Sequence, residues 1–267
     1  MALGVTDVFI QKDSTPGLIM VALSLSGKTA IVTGGSRGIG AAVAHSLGVS
    51  GANVVAAYNS NAAEADKIVR AIGDAGGRAV AVQADVSQPG AGKVLFDAAE
   101  QQFTRCDIFV HAAGAILYKK IEETTDEEFD KLMKLNVYGT FYLLREAAKR
   151  VNDDGRIITF SSTTTRLMLP TYGPYVATKG AVEQLTRVLA KEVGARKITV
   201  NAISPGATAT DLFLTGKSQE QIDRNAAMTN FGRIGQVDDM TGLVTFLASA
   251  QAGWITGQNI ACNGGVA

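Results

Sequence analysis

The chain is poor in the residues that make staples and metal sites. It has two cysteines, Cys106 and Cys262, and two histidines, His45 and His111, in 267 residues. Two cysteines so far apart make no disulfide framework, and a reducing, cytoplasmic setting is expected. A zinc site built from His and Cys is not expected either. An excess of one charge is also missing. Lys and Arg total 25, and so do Asp and Glu, so nothing marks a nucleic-acid partner. Gly and polar residues interrupt every apolar run before it could span a bilayer, and no membrane partner is expected. Charged residues make up only 19 % and hydrophobic residues 46 %, which excludes an intrinsically disordered chain. One residue is in surplus: glycine, at 29 of 267, against a usual share of about 7 %.

The first 24 residues read as a tail before a single domain over 25–267. The apolar stretch from Gly17 to Leu23 is short. The region before it carries Asp7, Lys12 and Asp13, a poor basic leader for a secretory signal. Met20 lies close to the first strand, and translation starting there is the alternative. Beyond the tail, strand and helix signals alternate. Strands are expected at Lys28–Thr33, Ala52–Tyr58, Arg78–Gln83, Cys106–His111, Arg156–Phe160, Lys197–Ile203 and Asn259–Cys262. Helices are expected at Ile39–Ser50, Ala62–Ala75, about Gly92–Phe103, Pro174–Val193 and Val237–Ala250. A long helix opens at the capping box of Thr125 and Glu128 and runs to about Val151. Such alternation implies an α/β fold, a single-domain, Rossmann-like, doubly wound parallel sheet with helices on both faces. The one long irregular stretch, Gly206 to Gly235, is expected to be a lid or binding loop.

The first strand–helix turn reads Thr33-Gly34-Gly35-Ser36-Arg37-Gly38-Ile39-Gly40. Glycines there let backbone N–H groups and a helix N-terminus approach a pyrophosphate. A dinucleotide site for NAD usually offers an acid after the second strand, for the ribose 2′-OH. Here that strand ends Ala57-Tyr58-Asn59-Ser60, and the first acid afterwards, Glu64, is already helical. A 2′-phosphate would meet Ser36, Arg37, Asn59 and Ser60 with no carboxylate to repel it. NADP(H) is therefore expected over NAD. Asp85-Val86, after the third strand, suits either an adenine contact or the N-cap of the next helix.

Tyr175 and Lys179 lie four apart at the start of a helix, on one face. A free phenol titrates near 10. A neighbouring ammonium favours its ionised form, and bringing it near neutrality requires about 4 kcal/mol. The phenol is expected to be lowered. Ser162 closes the fifth strand, where it could hold a substrate carbonyl oxygen while Tyr175 donates a proton. Asn136 sits inside the long helix, where Asn is a mediocre former; an exposed helical Asn is the plainer reading.

In these motifs the chain resembles the short-chain dehydrogenase/reductase family over about residues 25–267. The match comprises Thr33-Gly34-x-x-x-Gly38-x-Gly40, Asp85, Asn136, Ser162, Tyr175-x-x-x-Lys179 and Pro205-Gly206, in the family's order and spacing. The resemblance implies Tyr175 as acid/base, Lys179 as its partner and ribose ligand, Ser162 as substrate anchor, and Asn136 positioning a water next to Lys179. The loop with Thr208 and Thr210 looks like the nicotinamide and diphosphate contact. One departure is visible: His111-Ala112-Ala113-Gly114 stands where the family often has Asn-Asn-Ala-Gly. Ala113 and Gly114 keep close packing beside the cofactor, and His111 is expected to be structural.

Within the family the chain is similar to NADPH-dependent ketoreductases, those acting on 3-oxoacyl carriers and those acting on polyhydroxynaphthalenes. The expected activity is carbonyl reduction, hydride going to the ketone carbon and Tyr175 protonating its oxygen. Alcohol oxidation and a cofactor-binding protein without turnover are the alternatives. Candidate pocket residues are Thr163, Tyr172, Phe213, Leu214, Met228 and Phe231, with plain loop packing as the other reading. A homotetramer is what the resemblance implies, and Leu132, Leu135, Phe141, Leu144, Leu185 and Leu189 suit either its interface or the core.

Overall fold

The structure is a computed structural model that describes residues 23–267. The tail expected over 1–24 and the alternative start at Met20 lie outside the described residues, save Leu23 and Ser24. Strands and helices alternate as β1 (Thr29–Thr33), α1 (Gly38–Val49), β2 (Asn53–Tyr58), α2 (Ala62–Asp74), β3 (Arg78–Gln83), α3 (Ala91–Phe103) and β4 (Ile108–His111). The chain continues through α4 (Asp126–Met133), a π-helical turn (Lys134–Tyr138) and α5 (Gly139–Arg150) to β5 (Arg156–Phe160). Then come α6 (Thr164–Leu167), α7 (Gly173–Glu192), β6 (Thr199–Pro205), α8 (Asp211–Leu214), α9 (Gln219–Ala227), α10 (Asp238–Ala248) and β7 (Asn259–Cys262).

The seven strands form one parallel sheet in the order β3-β2-β1-β4-β5-β6-β7. Strands covered on both faces read as continuous apolar runs, and their side chains alternate between the two layers. Ile31, Val55, Phe109, Ile157 and Val200 face one layer, packed with Leu95 and Phe96 of α3, Leu143 and Leu144 of α5 and Leu189 of α7. Ala30, Val32, Val54, Ile108 and Ile158 face the other, packed with Val43 and Leu47 of α1, Ile72 of α2 and Val244 and Leu247 of α10. The chain winds outward in opposite directions from β1 and β4, so a crevice opens between their carboxyl ends. Ligands of doubly wound sheets bind there.

Two expectations change, and one open reading narrows. The single helix to Val151 is three pieces, interrupted by the π turn that carries Asn136. The irregular stretch 206–235 contains α8 and α9, the latter opened by a capping box of Ser218 and Gln221. Leu132, Leu144 and Leu189 are buried, and Leu135 and Leu185 pack on the core, so core packing accounts for all five; Phe141 alone of that set is exposed.

Candidate active site

The phosphate loop is shaped by what its glycines exclude. Gly34 has φ +68°, and a Cβ there would lie 3.0 Å from the Ala113 nitrogen. A Cβ on Gly40 would lie 2.1 Å from the Gly34 oxygen, so the first turn of α1 rests directly on the loop. The Gly35 N–H donates to the Ala57 oxygen at 2.9 Å, tying the loop to β2. Arg37 occupies the N-cap of α1 in extended backbone, with no side-chain cap and no acid in the first turn. The leading N–H groups of α1 are therefore available to an anion. Thr210 leans over this loop, its Cγ2 3.3 Å from where a Cβ of Gly38 would stand. The residues present fit a dinucleotide phosphate.

The end of β2 has the composition the sequence leads one to expect. Asn59 and Ser60 are exposed beside half-buried Tyr58. Asn61 caps α2 by accepting from the Glu64 N–H at 3.2 Å, and the Glu64 carboxylate is taken by Lys67 at 2.6 Å. Among the described residues Arg37 has no ion-pair partner. Asp85 does not cap α3, whose N-cap is Gly90. It accepts from the Ser87 hydroxyl at 2.7 Å and the Ser87 N–H at 3.0 Å, and these bonds, the hydroxyl first, hold its carboxyl below the usual range. Val86 is buried, and its oxygen is so close to Gly139 that a Cβ there would lie 2.8 Å away.

A cavity of about 1050 Å³, counting its open mouth, lies along the carboxyl edge of the sheet. Ile39, Gly114, Ser162, Tyr175, Lys179, Pro205, Gly206, Thr208 and Thr210 all line it. Pro174 opens α7 in the favoured first-turn position and sets Tyr175 at the sheet edge. Lys179, one turn on, donates to the Phe160 oxygen at 2.8 Å, with its ammonium 5.7 Å from the Tyr175 ring centroid. The Ser162 oxygen accepts from the Thr164 hydroxyl at 2.8 Å and from its N–H at 3.3 Å, so its own proton is free to donate. Asn136 is buried, not exposed. Its carboxamide accepts from the Ala115 N–H at 2.9 Å and donates to the Ala115 oxygen at 2.8 Å and to Thr178 Oγ1 at 3.0 Å. A Cβ on Gly114 would lie 3.3 Å from Asn136 Oδ1 and 3.6 Å from Lys179 Nζ, so the glycine lets the two approach.

Burial decides the protonation states. The Tyr175 phenol is pushed up to about 12 by desolvation, against the pull of the Ser162 hydroxyl. The expected lowering does not hold here, because desolvation of the phenol itself outweighs its favourable neighbour; Lys179, also buried, is brought down to about 8 by its own desolvation. The lysine's value is lower folded than unfolded, so its contribution opposes folding below about pH 8 and fades as pH rises toward its ordinary value. Lys179→Met should therefore gain stability relative to the parent protein at pH 7 and lose that advantage between about pH 8 and pH 10.5. Urea unfolding of both proteins across this range checks it.

His111 is structural, as expected. Its Nδ1 is 2.8 Å from Thr33 Oγ1 and its Nε2 2.9 Å from Thr140 Oγ1. The Thr140 hydroxyl donates to the Asn136 oxygen at 2.6 Å, so it must accept from His111 Nε2–H, and Nδ1 then accepts from Thr33. Thr33 Oγ1 in turn accepts from the Ala113 N–H at 3.3 Å. Burial brings the imidazole down to about 3, and it stays neutral. The ring joins β1 to α5 and, through Thr33 and Thr140, the Ala113 turn to the π turn.

On the substrate side, Thr163, Tyr172, Phe213 and Met228 line the cavity. Thr163 also donates to the Ser204 oxygen at 3.2 Å, so it braces β5 against β6. Leu214 does not line it; its neighbour Leu212 does. Phe231 is exposed and borders a separate hollow with Arg233, Asp239 and Cys262. Sequence reasoning missed Tyr118, Ile116 and Leu169. Tyr118 was accessible to it: four residues beyond Gly114, it must emerge where β4 empties into the crevice.

A family profile described as Enoyl-(Acyl carrier protein) reductase matches residues 34–267. An NADPH-dependent aldehyde reductase-like chloroplastic protein of Arabidopsis thaliana is 42 % identical, over 91 % of this chain and 95 % of its own length. Versicolorin reductase of Emericella nidulans is 40 % identical, over 90 % and 96 %. The crystal structure of an angucycline C-6 ketoreductase with bound NADP superposes with a TM-score of 0.86 at 37 % identity, over 91 % and 96 %. With these likenesses added to the glycine turn at β1, the parallel sheet and the buried Ser162, Tyr175 and Lys179 along its edge, the chain belongs to the short-chain dehydrogenase/reductase family of oxidoreductases.

Proposed function

We propose that the protein is an NADPH-dependent carbonyl reductase that turns a ketone, of 3-oxoacyl or cyclic polyketide type, into a secondary alcohol. The observation that carries this is the Tyr175 phenol, buried in the cavity wall with Ser162 and Lys179, where desolvation favours its protonated form. NADPH, when bound, supplies the hydride. The Ser162 hydroxyl, whose oxygen already accepts twice, donates to the ketone oxygen and holds it beside Tyr175. Tyr175 releases its proton to that oxygen as negative charge develops on it. Lys179 spends one N–H on Phe160 and has two left, for a ribose hydroxyl and for the field that stabilises the phenolate left behind. Asn136 keeps the π turn and the Ala115 backbone in place and positions a water next to Lys179. The protonated phenol is the form that gives a proton to a ketone oxygen, and the complete set of four favours turnover over mere cofactor binding.

Gly34, Gly38, Ile39, Gly40 and the α1 N-terminus would hold the cofactor's diphosphate, together with Thr208 and Thr210. Ser36, Arg37, Asn59 and Ser60, beside Tyr58, would take its 2′-phosphate. Asp85 and Val86 would hold the adenine, and Ala113, Gly114, Pro205 and Gly206 the nicotinamide. The NADP-bound structure relative and the NADPH-dependent one support this choice. Arg37→Ala should cut the preference for NADPH over NADH, as a ratio of kcat/KM, by roughly tenfold. Equal preference before and after the substitution would sink the 2′-phosphate reading. The activity itself is tested by NADPH consumption with a panel of ketones and quinones; no consumption with any of them would reject it.

Free Cys106 and Cys262 fit a reducing, cytoplasmic compartment. No helix among the described residues is long and apolar enough to cross a membrane. A homotetramer is supported by exposed Tyr138, Phe141 and Val188 on the π turn, α5 and α7, and sedimentation of the native protein checks it.

A further inference from the structure

Beside the cavity stand two polar groups that carbonyl reduction does not use. The turn after α8 passes through Gly216, at φ +77°, and returns Lys217 onto two of the rings that line the cavity. The Lys217 ammonium lies 3.7 Å from the Tyr118 ring centroid and 4.8 Å from that of Phe213, both cavity-lining rings. Among the described residues it has no carboxylate partner. The acids on the next helix are engaged elsewhere, Glu220 by Arg224 and Asp223 by Gln219. Beside it, the Tyr118 hydroxyl is buried near that of Tyr172 and makes no well-formed hydrogen bond. Tyr118 stands one ring away from the proton donor: its centroid is 5.1 Å from that of Tyr172, which is 6.4 Å from that of Tyr175.

A partly buried ammonium without a counter-ion and a buried hydroxyl without an acceptor are each unfavourable alone. Aromatic faces compensate the cation only in part. Both groups are donors, so one electron-rich oxygen would satisfy them together. We propose that Lys217 and Tyr118 form a subsite for an acidic oxygen, a phenolate or a carboxylate, carried by the substrate away from the carbonyl that is reduced. The inference rests on the carbonyl-reductase reading and adds a substrate class to it: ketones with an acidic oxygen at their far end. A site built around such a contact discriminates strongly against the analogue that lacks it.

The test uses three ketones on one scaffold: 2-acetylnaphthalene, 6-acetyl-2-naphthol and 6-acetyl-2-naphthoate. Their affinities are measured by calorimetry on the full-length protein saturated with NADP⁺. At least one acidic ketone should bind about tenfold more tightly than the parent ketone. Which one does so tells a phenolic substrate from a carboxylic one. Lys217→Met should erase that preference and leave affinity for 2-acetylnaphthalene within about twofold, while Lys217→Arg retains most of it. The preference should also weaken with added salt. Absence of preference in the parent protein, its survival in Lys217→Met, equal weakening of all three ligands, or no binding of the acidic ketones overturns the subsite. Turnover of the same ketones with NADPH is read separately. Binding with preference but without turnover keeps the subsite and rejects carbonyl reduction on this scaffold.

Discussion

Tyr175→Phe should fold, bind NADPH and lose ketone reduction by roughly 10²- to 10⁴-fold, the usual contribution of a positioned general acid. The substitution removes one oxygen and keeps the ring, so the 6.4 Å packing against Tyr172 is retained. The loss should fall on kcat more than on KM, because the proton moves only as the carbonyl oxygen gains charge. The phenol is held at about 12 in the folded chain, so the donor stays protonated through neutral pH. Loss of stability would not account for this outcome if the melting transition of the variant matches the parent. Steady-state rates and NADPH titration of both proteins separate the cases. An undiminished rate would mean that another group delivers the proton.

The second large effect concerns the phosphate loop. Gly40→Ala should weaken NADPH binding by up to about 100-fold and destabilise the fold by about 1–3 kcal/mol, the usual range for overpacking. The new methyl would stand 2.1 Å from the Gly34 oxygen, and that neighbour is backbone, not a flexible side chain. Gly34 is itself pressed against Ala113, so the loop cannot simply retreat. Gly73→Ala on α2 is the control. Nothing lies within 4 Å of its added Cβ, and alanine is the better helix former, so binding should be unchanged and stability equal or higher. Fluorescence titration with NADPH reads the binding, and urea unfolding reads the stability. Normal binding by Gly40→Ala would show that the α1 turn does not hold the cofactor.

Much of this architecture is legible in the chain, for identifiable reasons. The strands stand out because both faces are covered, so Thr29–Thr33 and Ile108–His111 are buried throughout and carry unbroken apolar centres rather than an alternating pattern. The glycine turn stands out because its place between strand and helix leaves few other roles. The proposed NADPH preference rests on an absence, the missing acid after Tyr58, and local sequence shows an absence as clearly as a presence. What stays hidden depends on distant packing. The π turn at Asn136 arises where Gly139 meets Val86 and where the carboxamide meets Ala115 and Thr178, partners 21 to 53 residues away in the chain. The upward displacement of Tyr175 is hidden likewise, since spacing shows that a lysine is near but not how dry the pair is. Lys217 looks like an ordinary loop cation until the fold lays it on Tyr118 and Phe213. Capping signals at Ser218 and Gln221 were readable, and they show that the stretch between Gly206 and Gly235 is partly helical.

Hydride delivery to a carbonyl carbon with Tyr175 as the acid is tested most directly by isotope transfer. The parent protein and Tyr175→Phe are each incubated with 2-acetylnaphthalene and NADPH deuterated at both C4 positions, and the product is analysed by mass spectrometry. The expected result is a secondary alcohol from the parent protein with one deuterium on the carbinol carbon, and at most a trace from Tyr175→Phe. NADPH consumption without labelled alcohol, or equal yields from the two proteins, would contradict it.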